Sequence, residues 1–64
     1  MGAYEKVVRD ILAYSGCSFV KAGLGDYDIW YSPAISRHFS VDHSILSRRH
    51  ANTILRLAGT SHEV

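Results

Sequence analysis

Apolar residues near the start of the chain recur with a helical period. Tyr4, Val7, Val8, Ile11, Leu12 and Ser15 share one stripe, which predicts a helix over residues 4–15. Glu5 with Arg9 and Lys6 with Asp10 form i,i+4 pairs away from that stripe, and Gly16 follows as a stop. The pattern then changes period. Residues 17–22, 27–32 and 37–41 are short runs rich in β-branched and aromatic residues, and each predicts a strand. In the middle run Tyr27, Ile29 and Tyr31 fall on one side, and Asp28, Trp30 and Ser32 on the other. Phe39 and Val41 share a face of the third. Helical spacing returns with Ala51, Ile54, Leu55 and Ala58. These predict a second helix over 48–58, with Ser47 as N-cap, Gly59 as stop and Leu57 outside the stripe. Residues 60–64 are polar and predict a frayed tail.

The links between strands are tight. Gly23, Leu24, Gly25 and Asp26 make one turn, with glycine expected to supply backbone angles that other residues avoid. Pro33 opens the second turn. Tight turns predict an antiparallel sheet of order 1-2-3. Two apolar helix stripes and a single sheet then give an α+β domain of order α-β-β-β-α. Both helices should lie on one face and leave the other open.

Composition narrows the function classes. Sixty-four residues make one domain, 1–64, with little room for an enclosed pocket. Chains of this size bury only about 60% of their unfolded surface. A site is therefore expected on the surface. One cysteine, Cys17, excludes an internal disulfide and favours an intracellular location. No apolar run approaches the roughly 18 residues of a membrane span. The N-terminus carries no signal-peptide pattern, so a cytoplasmic location is expected. Net charge is +1, unevenly spread. Through Pro33 there are three basic and four acidic residues; from Ala34 onward four arginines face Asp42 and Glu63, and all four histidines lie there. That asymmetry is a weak nucleic-acid signal.

The ordered pieces carry a family resemblance. They are the helix ending at Gly16; Phe19-Val20-Lys21-Ala22-Gly23 with Gly25-Asp26-Tyr27-Asp28-Ile29-Trp30; the turn Tyr31-Ser32-Pro33; and the closing helix Ala51-Asn52-Thr53-Ile54-Leu55-Arg56-Leu57-Ala58-Gly59. Together they resemble the HicA (YcfA-like) toxins of type II toxin–antitoxin modules, over nearly the whole chain. The resemblance implies a fold like the double-stranded-RNA-binding domain and a metal-independent endoribonuclease that cleaves mRNA and needs no cofactor. It also implies a HicB-type antitoxin that covers the active face, with the chain monomeric alone or in a hetero-oligomer with that partner. In the family a Gly-Ser-His or Gly-Asp-His triplet supplies the catalytic histidine, and imidazole suits proton transfer near neutral pH. Here that position is Tyr27. A phenol ordinarily titrates at about pH 10 and is a poor base at neutrality. Three readings stay open: a toxin whose histidine was replaced, an RNA binder that does not cleave, or a base elsewhere, with His38 and His43 as candidates.

The remaining candidates follow from charge and position. Lys21, Arg37, Arg48, Arg49 and His50 are the RNA-backbone candidates; Gly23, Gly25 and Asp26 form the turn that presents Tyr27. Asp26 and Asp28 flank Tyr27, which fits acid–base work or Mg²⁺, but turn chemistry and a solvated side chain explain them more simply. Trp30 reads as core. The histidines show no metal-ligand spacing. A different class also fits: a protein–protein module that pairs through its open sheet face and does no catalysis.

Overall fold

The computed structural model describes residues 3–64. Its elements are α1 (Glu5–Tyr14), β1 (Ser18–Ala22), β2 (Tyr27–Ser32), β3 (Arg37–Asp42) and α2 (Arg48–Leu57). The three strands form one antiparallel sheet in the order β1-β2-β3. The α-β-β-β-α order and open sheet expected from the sequence are those observed.

Both helices end alike. Cys17 N–H reaches Leu12 O at 2.9 Å and Gly16 N–H reaches Ala13 O; Thr60 N–H reaches Leu55 O at 3.1 Å and Gly59 N–H reaches Arg56 O. Gly16 (φ 92) and Gly59 (φ 79) occupy the left-handed position that this ending requires. Ser47 caps α2, its Oγ accepting from His50 N–H at 3.1 Å. In the first turn of α1, buried Glu5 accepts from Ile45 N–H at 2.7 Å while Tyr4 N–H donates to Ile45 O. The segment between β3 and α2 is thereby fastened to α1. Ile45 becomes fully buried core.

The core is Val8 and Leu12 of α1, Ala51, Ile54, Leu55 and Ala58 near or on α2, Trp30 and Val41 of the sheet, with Cys17 and Ile45. Val7, expected in the α1 stripe, is exposed, and so is Leu57, as expected. The sheet register sorts the faces. Trp30 pairs with Phe39 and with Phe19, and Asp28 pairs with Val41, so these lie on the helix side. Tyr27, Ile29 and Tyr31 pair with Asp42, Ser40 and His38 on the open side. A bulge at Val20, between the Phe19–Trp30 and Lys21–Ile29 pairs, switches the facing of β1 part-way along. Lys21 therefore joins the open face. All five residues of β1 are exposed, which marks it as the peripheral strand.

Residues 60–64 run back along α2. Asn52 holds Val64 from both sides, accepting from its N–H at 2.8 Å and donating to its carbonyl at 3.4 Å. The His62 ring packs edge-on against Tyr14. Polarity alone predicts fraying for this segment; these contacts instead fold it against the helices. No helix is long and apolar enough to cross a membrane among the described residues.

Candidate nucleic-acid interface

Two glycines give the 23–26 turn its shape, by a route other than the one expected. Neither is among the residues with positive φ. Gly23 matters for space: a Cβ there would fall inside the Tyr27 ring, and one on Gly25 would touch the ring's other edge at 3.5 Å. The turn closes with Gly23 N–H donating to Tyr27 O at 2.9 Å. The phenol therefore lies across the turn, half-buried, at the start of the open face. Leu24 projects from the turn fully exposed, at 102%.

The same end of the sheet gathers several polar groups. His43 N–H donates to Asp26 O at 2.9 Å, extending the β2–β3 ladder past its last paired residues. His43 Nε2 lies 2.8 Å from Asp28 Oδ1, and His50 Nε2 lies 2.8 Å from Asp42 Oδ2. Carboxylates only accept, so each Nε2 carries a proton and each Nδ1 remains as the second ring nitrogen. Asp42 and His43 are consecutive, and Tyr27 pairs with Asp42, so both histidines stand within a residue or two of the expected site. Asp28, read from sequence as merely solvated, is the partner that fixes His43.

Arg48 and Arg49 are exposed in the first turn of α2, which contains no acidic residue. Cations there oppose the helix dipole, which favours anions at an N-terminus. The His50–Asp42 pair ties this turn of the helix to the end of β3.

Other candidates lie elsewhere. Arg37 and His38 sit at the opposite end, where Ser32 pairs with Arg37 and Tyr31 with His38. His38 packs edge-on against Tyr31, ring centroids 5.1 Å apart. Four residues of strand separate that rung from Tyr27, about 13 Å. His38 is thus remote from the turn, whereas His43 is beside it. Lys21 lies at the β1 edge of the open face, opposite Ile29. Trp30 is buried against Phe19, with no hydrogen-bond partner for its indole N–H among the described residues.

There is no pocket among the described residues, so the candidate site is a surface. Among those residues, no group of three or more His, Cys, Asp or Glu is arranged to hold a metal ion. The two histidine–carboxylate pairs were missed from sequence because their partners lie 15 and 8 positions apart, joined only by strand register and by the packing of α2. In comparisons with known proteins, no family model, curated protein or solved structure matches the chain.

Proposed function

We propose that this chain is an RNA-binding domain of the HicA-like kind its sequence resembles, a cytoplasmic toxin acting on mRNA and restrained by a HicB-type antitoxin. The observation that carries the reading is the first turn of α2. Two exposed arginines stand where a helix by itself prefers acids, in the turn of α2 whose His50 pairs with Asp42, the β3 partner of Tyr27. A phosphate backbone crossing this end would turn that unfavourable placement into a favourable one, through guanidinium contacts and helix N–H groups together. The open face extends the footprint with Lys21 at its β1 edge, and with Tyr27 and Tyr31 as rings on which unpaired bases can stack.

The test is affinity for a short single-stranded RNA across a salt series. Binding should weaken with salt, with a log–log slope of about −0.7 for each phosphate neutralised. Arg48→Ala with Arg49→Ala should flatten that slope by about 1.4. A slope untouched by the double substitution, or binding indifferent to salt, overturns the reading.

One observation favours a second reading. Phe19, Val20 and Leu24 are all exposed along the β1 edge and its turn. An edge strand with apolar side chains is a template for a protein partner. In the toxin reading this is where an antitoxin would seat. In a pure interaction module it would be the whole function, and affinity for the partner would persist at high salt.

A further inference from the structure

We infer that the open sheet face reads three successive unpaired bases, and that Asp42 selects guanine as the base seated on Tyr27. The inference rests on the RNA-binding reading above. It names the substrate class, a strand drawn out of its stack, and the residue that sets its sequence.

Strand register divides the face into three rungs. Tyr27 pairs with Asp42, Ile29 with Ser40 and Tyr31 with His38. Each rung sets a half-buried side chain of β2 beside an exposed polar one of β3. Rungs are two residues apart, about 7 Å. Along one strand of a duplex, nucleotides rise about 3.4 Å each, half that step. Bases seated on successive rungs are therefore pulled apart, which a single strand allows and a duplex does not. The outer platforms are rings. Tyr27 lies across the 23–26 turn where a Cβ on Gly23 would enter it, so that turn is shaped to admit a ring. Tyr31 meets His38 with their planes 65° apart, so a base laid on the phenol ring has the imidazole beside it.

Charge sets which way the strand lies. Among the described strand residues, the full charges on this face are Lys21 of β1 and Asp42 of β3. Lys21 stands opposite Ile29, beside the middle rung. A phosphate chain is drawn to Lys21 and repelled by Asp42, so the backbone follows β1 and the base edges point over β3. Asp42, Ser40 and His38 are then the readers, one for each base. A hydroxyl and a neutral imidazole both donate and accept, so they discriminate weakly. A carboxylate only accepts. Guanine offers it two adjacent donors, N1–H and N2–H. Uracil sets its one donor between two acceptors, and cytosine and adenine set a donor next to an acceptor. Asp42 has the capacity for this contact. His50 Nε2 engages Oδ2 at 2.8 Å, the Asp42 side chain is 50% exposed, and a carboxylate has about four acceptor sites. Past the Tyr27 rung the strand reaches the end where His50 ties the first turn of α2, with Arg48 and Arg49, to β3.

The test uses the whole chain with short labelled RNA, single-stranded and annealed, read by fluorescence anisotropy. A single guanine in an oligouridine strand should tighten binding by about 10-fold. Asp42→Asn should erase that preference without weakening binding to oligouridine, and His50→Gln should keep it. Tyr27→Leu and Tyr31→Leu should each weaken single strands by about 5-fold or more and leave duplex binding unchanged. Lys21→Ala should flatten the salt slope by about 0.7 and retain the guanine preference. In the unaltered chain, NMR should show the ring protons of Tyr27 and Tyr31 moving upfield as the strand is added, and those of Tyr4 and Tyr14 staying in place. That measurement tests the platforms where a leucine variant fails to fold. A duplex bound as tightly as the single strand, ring protons that do not move, or a guanine preference that is absent or survives Asp42→Asn overturns this inference. With the salt slope and its dependence on Arg48 and Arg49 intact, those results leave the binding reading standing. A chain that binds no RNA overturns both.

Discussion

Where β2 turns into β3, Ser32 is fully buried and its hydroxyl donates to Ala58 O at 2.6 Å, joining the sheet to the end of α2. Beside it Gly59 sits so close to the 33–36 turn that a Cβ would lie 2.9 Å from Ile35. At the other end of the sheet the side-chain fastenings are partly exposed. His43 reaches Asp28, His50 reaches Asp42, and Leu24 projects freely. One end is closed by packing and a buried hydrogen bond; at the other, beyond the buried Glu5–Ile45 contact, the strand ends are joined by partly exposed histidine–carboxylate pairs. Buried polar contacts are costly to break because the partner is left without water. Exposed pairs contribute little to stability because solvent screens them. The packed end therefore defines the fold, and the polar end can change partners without unfolding the chain.

The widest separation between the ends should come from Ser32→Ala. It strands the Ala58 carbonyl and should cost about 2 kcal/mol. For a domain of this size that is a melting shift of about 8–16 °C. A shift as small as that of a surface substitution would erase the contrast. Gly59→Ala comes next. It forces a side chain into the left-handed region, for about 1–2 kcal/mol, and into Ile35 as well. Urea midpoints measure both. Gly23→Ala belongs to the polar end and should cost less. The added Cβ collides with a tyrosine ring, not with backbone, and the ring can swing off the turn. Its mark should be an altered Tyr27 emission and weaker RNA binding with a melting point close to wild type. A loss matching Gly59→Ala would mean that the turn is as rigid as the packed end.

The packed end was legible from sequence because it is built from periodicity. The stripe of Ala51, Ile54, Leu55 and Ala58, the stops at Gly16 and Gly59, and the parity that makes Trp30 core all follow from local spacing, and β2 fell over the residues expected. The polar end was legible only in outline. Glycines at 23 and 25 suggest unusual backbone angles, but Gly23 is there to admit a ring from four residues on, a tertiary demand that spacing does not encode. The bulge at Val20, which turns Lys21 to the open face, has no sequence mark. His43 looked like a loop histidine because its carboxylate sits on another strand, and His38 packs on Tyr31, at the far end of the sheet from Tyr27. Ile45, one of two adjacent apolar residues in the link to α2, gave no hint that it would be the buried one or that Glu5 would hold its N–H.

The smallest effect is also the sharpest test of the contrast. Asp28→Asn, His43→Gln and the double variant form a thermodynamic cycle around one pair, and Asp42→Asn with His50→Gln a second. Each coupling should lie below about 1 kcal/mol at low salt and shrink as salt is added, because both partners of each pair keep access to water. Urea unfolding at two salt concentrations reads it directly. A coupling as large as the loss from Ser32→Ala, and indifferent to salt, would make the pairs structural struts, and groups locked in that way would not be free to meet a phosphate. A small, screened coupling means that the carboxylates aim the imidazoles without consuming them, so that an incoming anion competes against weak contacts only.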